Sequence, residues 1–134
     1  MGWLSAVALL PMTLLLVIGA VYWRAKVRQL KDRSYDIGPV LSKIGGLRLP
    51  VLFMTVIAAI AAIASWLIAG LAISTADRIC ASIAAALAVL EHINYYHRQL
   101  QHFDNVSDFK RLIAGKGFRV SQMARDLRTH GIRY

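Results

Sequence analysis

Three apolar stretches limit what this chain can fold into. Trp3–Trp23 is apolar throughout apart from Ser5 and Thr13, Pro50–Ile73 is nearly so, and a third stretch runs from Ile79 to Tyr96. A helix needs about 20 such residues to cross a bilayer. Between and after them the chain is basic. Of 16 Lys and Arg residues, seven fall in Arg24–Leu49, eight in His97–Tyr134 and one in the 74–78 turn. A content of 57% hydrophobic residues alongside a net charge of +9 conflicts in a water-soluble domain. It is natural where the two populations occupy different solvents. The expectation is one all-α membrane domain, residues 1–134, with three transmembrane helices.

Charge also sets the expected orientation. Lys and Arg collect on the cytoplasmic side of a membrane, which places the 24–49 loop and the 97–134 tail inside and the N-terminus outside. The expected location is the plasma membrane, the inner membrane of a bacterium. A cleaved leader is not expected, because MGWLSAV lacks a basic start and no small-x-small site follows the apolar run. Trp3, Tyr22 and Trp23 read as interfacial anchors. Pro11 should kink the first helix or limit its first turn.

The first helix should continue past Trp23 to about Ser34. Asp36 can cap a short second helix, Ile37–Ile44, with Pro39 in its first turn and Gly45-Gly46 at its end. The second span then begins at Pro50. Ser74-Thr75-Ala76-Asp77-Arg78 is short enough to make the second and third spans a tight antiparallel hairpin, with Ser74, Thr75 or Asp77 as cap. In the tail, Ser107-Asp108 should open a short amphipathic helix. Ser121 should open another, with Met123, Ala124 and Leu127 apolar and Gly131 as its stop.

Each span of the hairpin has two faces. Ala58, Ala62, Ser65, Ala69 and Ala72 share one side of the second span, opposite Phe53, Ile60, Leu67 and Leu71. On the third, Ala81, Ala84, Ala88, Glu91, Tyr95, Arg98 and His102 fall on one side and Ile83, Leu87 and Leu90 on the other. Small residues let helix backbones approach closely in lipid, so the alanine faces should meet. Glu91, Tyr95, Arg98 and His102 should carry that contact line into the cytoplasmic layer.

Glu91 is the sharpest candidate for chemistry. A carboxylate inside a span costs a few kcal/mol on insertion scales. It reads either as a proton- or ion-handling group or as a structural one. In the structural reading it reaches the interface, accepts a hydrogen bond from Tyr95, pairs with Arg98, or neutralises a basic group within the hairpin or on a partner. His92, His97 and His102 are spaced by five, not the three or four of a helical zinc pair, and no other span carries a histidine for haem. No metal and no cofactor is expected. Cys80 reads as a small apolar residue, with an intermolecular disulfide as the alternative. The sequence contains no phosphate-binding glycine loop, paired carboxylates or nucleophile–base set, so an enzyme is not expected.

Three function classes remain. The first is a small accessory or structural subunit of a larger inner-membrane complex, working through helix packing and a basic cytoplasmic face. Its partners are other membrane subunits or further copies of itself, and anionic lipid headgroups. The second comes from layout. Three spans, an outside N-terminus and a basic tail resemble the phage holins, which implies an oligomeric pore. The third is a membrane-tethered regulator, because the tail outline around Gly115-Lys116-Gly117-Phe118 is similar to a helix-turn-helix. A DNA reader has a third helix that this tail lacks, so nucleic acid is not an expected partner.

Overall fold

The structure is a computed structural model and describes residues 2–97 and 120–132. Among the described residues it is all-helical, with no strand. Helix α1 spans Trp3–Lys31, α2 Gly38–Leu67, α3 Thr75–Tyr96 and α4 Gln122–Thr129. The first three are each long and apolar enough to cross a membrane. They pack as an up-down-up bundle. One end carries the link between α2 and α3. The other, here the basic end, carries the 32–37 link and α4, which packs on it.

Helix α2 departs from the sequence reading. The expected short helix at 37–44 and the expected span from Pro50 are one continuous helix of 30 residues. A glycine pair in a helix costs about 1 kcal/mol per residue relative to alanine, and packing overrides that here. A Cβ on Gly45 would collide with the Ile132 side chain, whereas one on Gly46 would meet nothing. Gly45 therefore admits the tail against α2. Pro50 falls inside the same helix, and the residue four before it, whose carbonyl the proline ring crowds, is the unhindered Gly46. Pro11 likewise sits within an unbroken α1.

The far end of α2 also differs from expectation. The helix stops at Leu67 rather than Ile73, and residues 68–74 form the link. Gly70 adopts φ +87° there, a left-handed conformation that glycine enters without strain. Ser74 caps α3, its Oγ accepting from the Asp77 N–H at 3.1 Å.

The interior divides along the bundle axis. Toward the α2–α3 link it is built from small residues: Ala8 of α1, Ala58 and Ala62 of α2, and Ala81, Ala84 and Ala85 of α3, with Leu4. Ser65 and Thr55 are buried there too. Each spends its hydroxyl on its own helix, Ser65 on the Ala62 carbonyl at 2.6 Å and Thr55 on the Val51 carbonyl at 2.8 Å. Toward the basic end the side chains grow. Leu15, Ile18, Tyr22, Leu41, Ile44 and Tyr96 cluster there with Ala88, and Met123 and Leu127 of α4 join them. The outer faces stay apolar: Leu16, Phe53, Ile60, Ile63, Ile83 and Leu90 are all exposed. So much continuous apolar surface is far beyond the few hundred Å² that soluble monomers show and matches lipid-facing helices.

Candidate functional site

A polar tie locks each end of the bundle. At the link end, the α1 N-cap is Gly2, which has no side chain to bond the first amides. Asp77 of α3 supplies what is missing. Its Oδ1 accepts from the Ser5 N–H at 3.1 Å, the third amide of α1, and from the Ser5 hydroxyl. Ser5 Oγ also reaches the Asp77 carbonyl, at 3.1 Å. A carboxylate at a helix N-terminus is favoured by the helix dipole as well. Close by, the Trp66 Nε1–H of α2 donates to Ser82 Oγ of α3 at 3.0 Å, and the Arg78 guanidinium lies 5.1 Å from the Trp66 ring centre.

At the basic end the tie is Asp126 of α4. Its Oδ2 accepts from the Tyr22 hydroxyl at 2.9 Å and from Lys26 Nζ at 2.8 Å, while Gln122 Nε2 donates to Oδ1 at 3.1 Å. Ser121 fixes the start of α4. Its N–H donates to the His97 carbonyl at 3.3 Å, its hydroxyl donates to the Tyr95 carbonyl, and its Oγ accepts from the Ala124 N–H at 3.1 Å. The Tyr96 hydroxyl crosses to the Ile44 carbonyl of α2 at 3.0 Å. Arg48 Nη2 stands 3.5 Å from His97 Nε2. Burial first, and the nearby Arg48 charge second, hold the His97 imidazole below its ordinary value.

These contacts frame a cleft of about 480 Å³ between α1, α3 and α4. Tyr22, Trp23 and Lys26 form the α1 wall, Glu91 and Tyr95 the α3 wall, and Gln122 part of the α4 wall. The Tyr95 hydroxyl lies beside Glu91. It reaches so close to α1 that a Cβ on Gly19 would collide with it. Glu91 Oε2 is shielded from solvent and has no hydrogen-bond partner among the described residues.

The expected contact residues are therefore split. Ala58, Ala62, Ser65, Ala81, Ala84 and Ala88 are buried, but α1 shares the interface: Leu4 and Ala8 enter the same cluster as Ala58 and Ala81. Ala69 lies beyond the end of α2, exposed in the link, because the helix ends early. Glu91 and Tyr95 are partly buried and turn toward α1 and the cleft. Arg98 and His102 lie outside the described residues, as does the helix expected at Ser107. His92 is 3% exposed, its ring 4.9 Å from Tyr96, and neither of its nitrogens has a hydrogen-bond partner among the described residues. Among the described residues no three His, Cys, Asp or Glu side chains converge as a metal site would require.

Sequence reading missed Gly19, Lys26 and Asp126, and it took Tyr22 for an interfacial anchor, whereas the ring is buried and its hydroxyl bonds Asp126. A signal for them exists. Tyr22 and Lys26 are spaced i,i+4 on α1, and Gln122 and Asp126 are spaced i,i+4 on α4. A donor pair and an acceptor-bearing pair at the same helical spacing can zip together.

No protein-family model matches the chain, and neither does any curated protein or solved structure.

Proposed function

We propose that the chain is a small accessory or structural subunit, a scaffold within a larger membrane complex of the bacterial inner-membrane type. In this reading the N-terminus is outside, and the basic end, with the 32–37 link and the tail, faces the cytoplasm. The observation that carries it is a shallow groove of about 240 Å³ on the lipid-exposed side between α2 and α3. Ala59, Ala62, Ser82, Ala85 and Ala86 line it, between Ile63 and Trp66. Packing, not hydrophobic burial, drives helix association in lipid, and small residues allow the close approach that packing needs. A third helix seated there makes contacts that lipid tails make less well. The basic residues of the first link and the tail support the orientation through the positive-inside rule. They also attract anionic headgroups, at about 1 kcal/mol per residue near the surface. No catalytic role and no nucleic-acid partner belongs to this reading.

The test is photo-cross-linking in intact cells. A cross-linker at Ala86 should yield a protein adduct of one fixed mass, whereas one at Leu16, on the exposed face of α1, should yield only lipid. Lipid alone at both positions would overturn the reading. The holin-like pore remains the alternative, because the same groove suits a second copy. Abrupt loss of membrane potential on induced expression would favour it.

A further inference from the structure

Glu91 lies five residues before the end of α3 at Tyr96, about 7.5 Å of helix rise inside the span. Ionisable groups at such depths almost always face a bundle interior or cavity and are paired, because an isolated charge there is costly. Among the described residues Glu91 forms no ion pair. Tyr95 lies beside its carboxylate, and Oε2 is left without a hydrogen-bond partner among the described residues. Among the described residues one cation lines the cleft, Lys26, and it is committed elsewhere, while Arg125 at the rim is bonded to Gln122. The Lys26 ammonium sits 2.8 Å from Asp126 Oδ2 and 3.2 Å from Gln29 Oε1. Lys26 and Asp126 cancel each other, which leaves Glu91 on the α3 wall as a carboxylate with no ion-pair partner among the described residues. The cleft volume of about 480 Å³ falls within the roughly 300–1,000 Å³ of sites that hold an organic ligand.

We infer that this cleft receives the side chain of a Lys or Arg from a partner transmembrane helix, which pairs with Glu91. The inference rests on the subunit reading and adds a second contact, on the α1–α3 side of the bundle rather than in the α2–α3 groove. Charge selects a cation. Depth selects a side chain over a lipid, because a headgroup ammonium would have to dip below its own phosphate to reach Glu91. A basic side chain has a long apolar stem that lies along Trp23 and the α1 wall while its head reaches the carboxylate. The Glu χ3 torsion is broad and twofold, so a small rotation presents Oε2 to the incoming group.

The test uses the full chain reconstituted in lipid vesicles with a fluorescent synthetic Leu-Ala transmembrane peptide. One peptide carries a single Arg five residues from its end, and its control carries Leu at that position. Energy transfer should show the Arg peptide binding at least tenfold tighter than the Leu peptide. The preference should disappear in Glu91→Gln and persist in Arg98→Gln. Equal binding of the two peptides to the wild-type chain would overturn the inference, and that comparison does not depend on any variant folding. Arg-peptide binding that emerges only in Arg98→Gln would also overturn it, because Glu91 would then be neutralised within its own chain. The subunit reading fails separately, if the wild-type chain leaves its native membrane alone. A native complex that stays intact with Glu91→Gln would sink only the Glu91 contact.

Discussion

Replacing Asp126 with Ala should release α4 from the bundle. Asp126 takes hydrogen bonds from Tyr22, Lys26 and Gln122. The ion pair is largely sheltered, with Lys26 and Asp126 side chains 18% and 14% exposed. Hydrogen bonds to charged groups contribute about 1.5–3 kcal/mol in such settings. Removing Asp126 also leaves the Lys26 ammonium and the Tyr22 hydroxyl short of an acceptor at a partly buried site. Met123 and Leu127 remain buried and oppose full detachment. A net loss of about 2 kcal/mol corresponds to a roughly thirty-fold rise in the open population of the tail. Amide hydrogen exchange in detergent reads that population directly. Residues 122–129 should lose about thirty-fold in protection while the middle of α3 is unchanged. Asp126→Asn, which keeps an acceptor oxygen but loses the charge, should fall between. Thr129→Ala removes only an exposed bond within α4 and serves as control. Protection within twofold of wild type in Asp126→Ala would refute the claim that this carboxylate anchors the tail.

Three further outcomes follow from the same contacts. Asp77→Ala removes the cap that α3 lends to α1 and should destabilise the protein by about 1–2 kcal/mol; adding Ser5→Ala should cost little more in detergent melts, since the two residues form one unit. Gly19→Leu should force the Tyr95 ring away from α1, costing about 1–3 kcal/mol as overpacking does, with partial recovery when Tyr95→Phe is added. His97 is held below its ordinary value of about 6.5, so the folded state binds its proton more weakly than the unfolded chain. Its contribution is complete above pH 6.5 and is lost as pH falls from there toward the folded value. The melting temperature should therefore drop between pH 7 and pH 5, and His97→Gln should reduce that slope.

Helix class and the three apolar helices were legible because a bilayer imposes a length and a polarity that show in any window of the sequence. The faces were legible too. Ala58, Ala62, Ala81 and Ala84 are periodic, and periodicity survives whatever the helix packs against. The continuity of α2 through Gly45, Gly46 and Pro50 was not. Local propensity argues for a break at these residues, and the contact that suits glycine to position 45, the Ile132 side chain, comes from some ninety positions away. Asp77 shows the same limit. Its spacing suits a cap for its own helix, and only tertiary proximity turns it toward α1. The cleft was half legible: Glu91 and Tyr95 announce themselves as polar residues at helical spacing in an apolar run. Lys26 and Asp126 do not, because pairing across 100 residues leaves no local mark.

The central claim, that this chain is built to be part of something larger, is tested most directly by native mass spectrometry of the protein released from its own membrane in a mild detergent. The account predicts a single complex of fixed stoichiometry that contains the chain and at least one different membrane protein. A chain that emerges alone, or as a ladder of copies of itself, would contradict it.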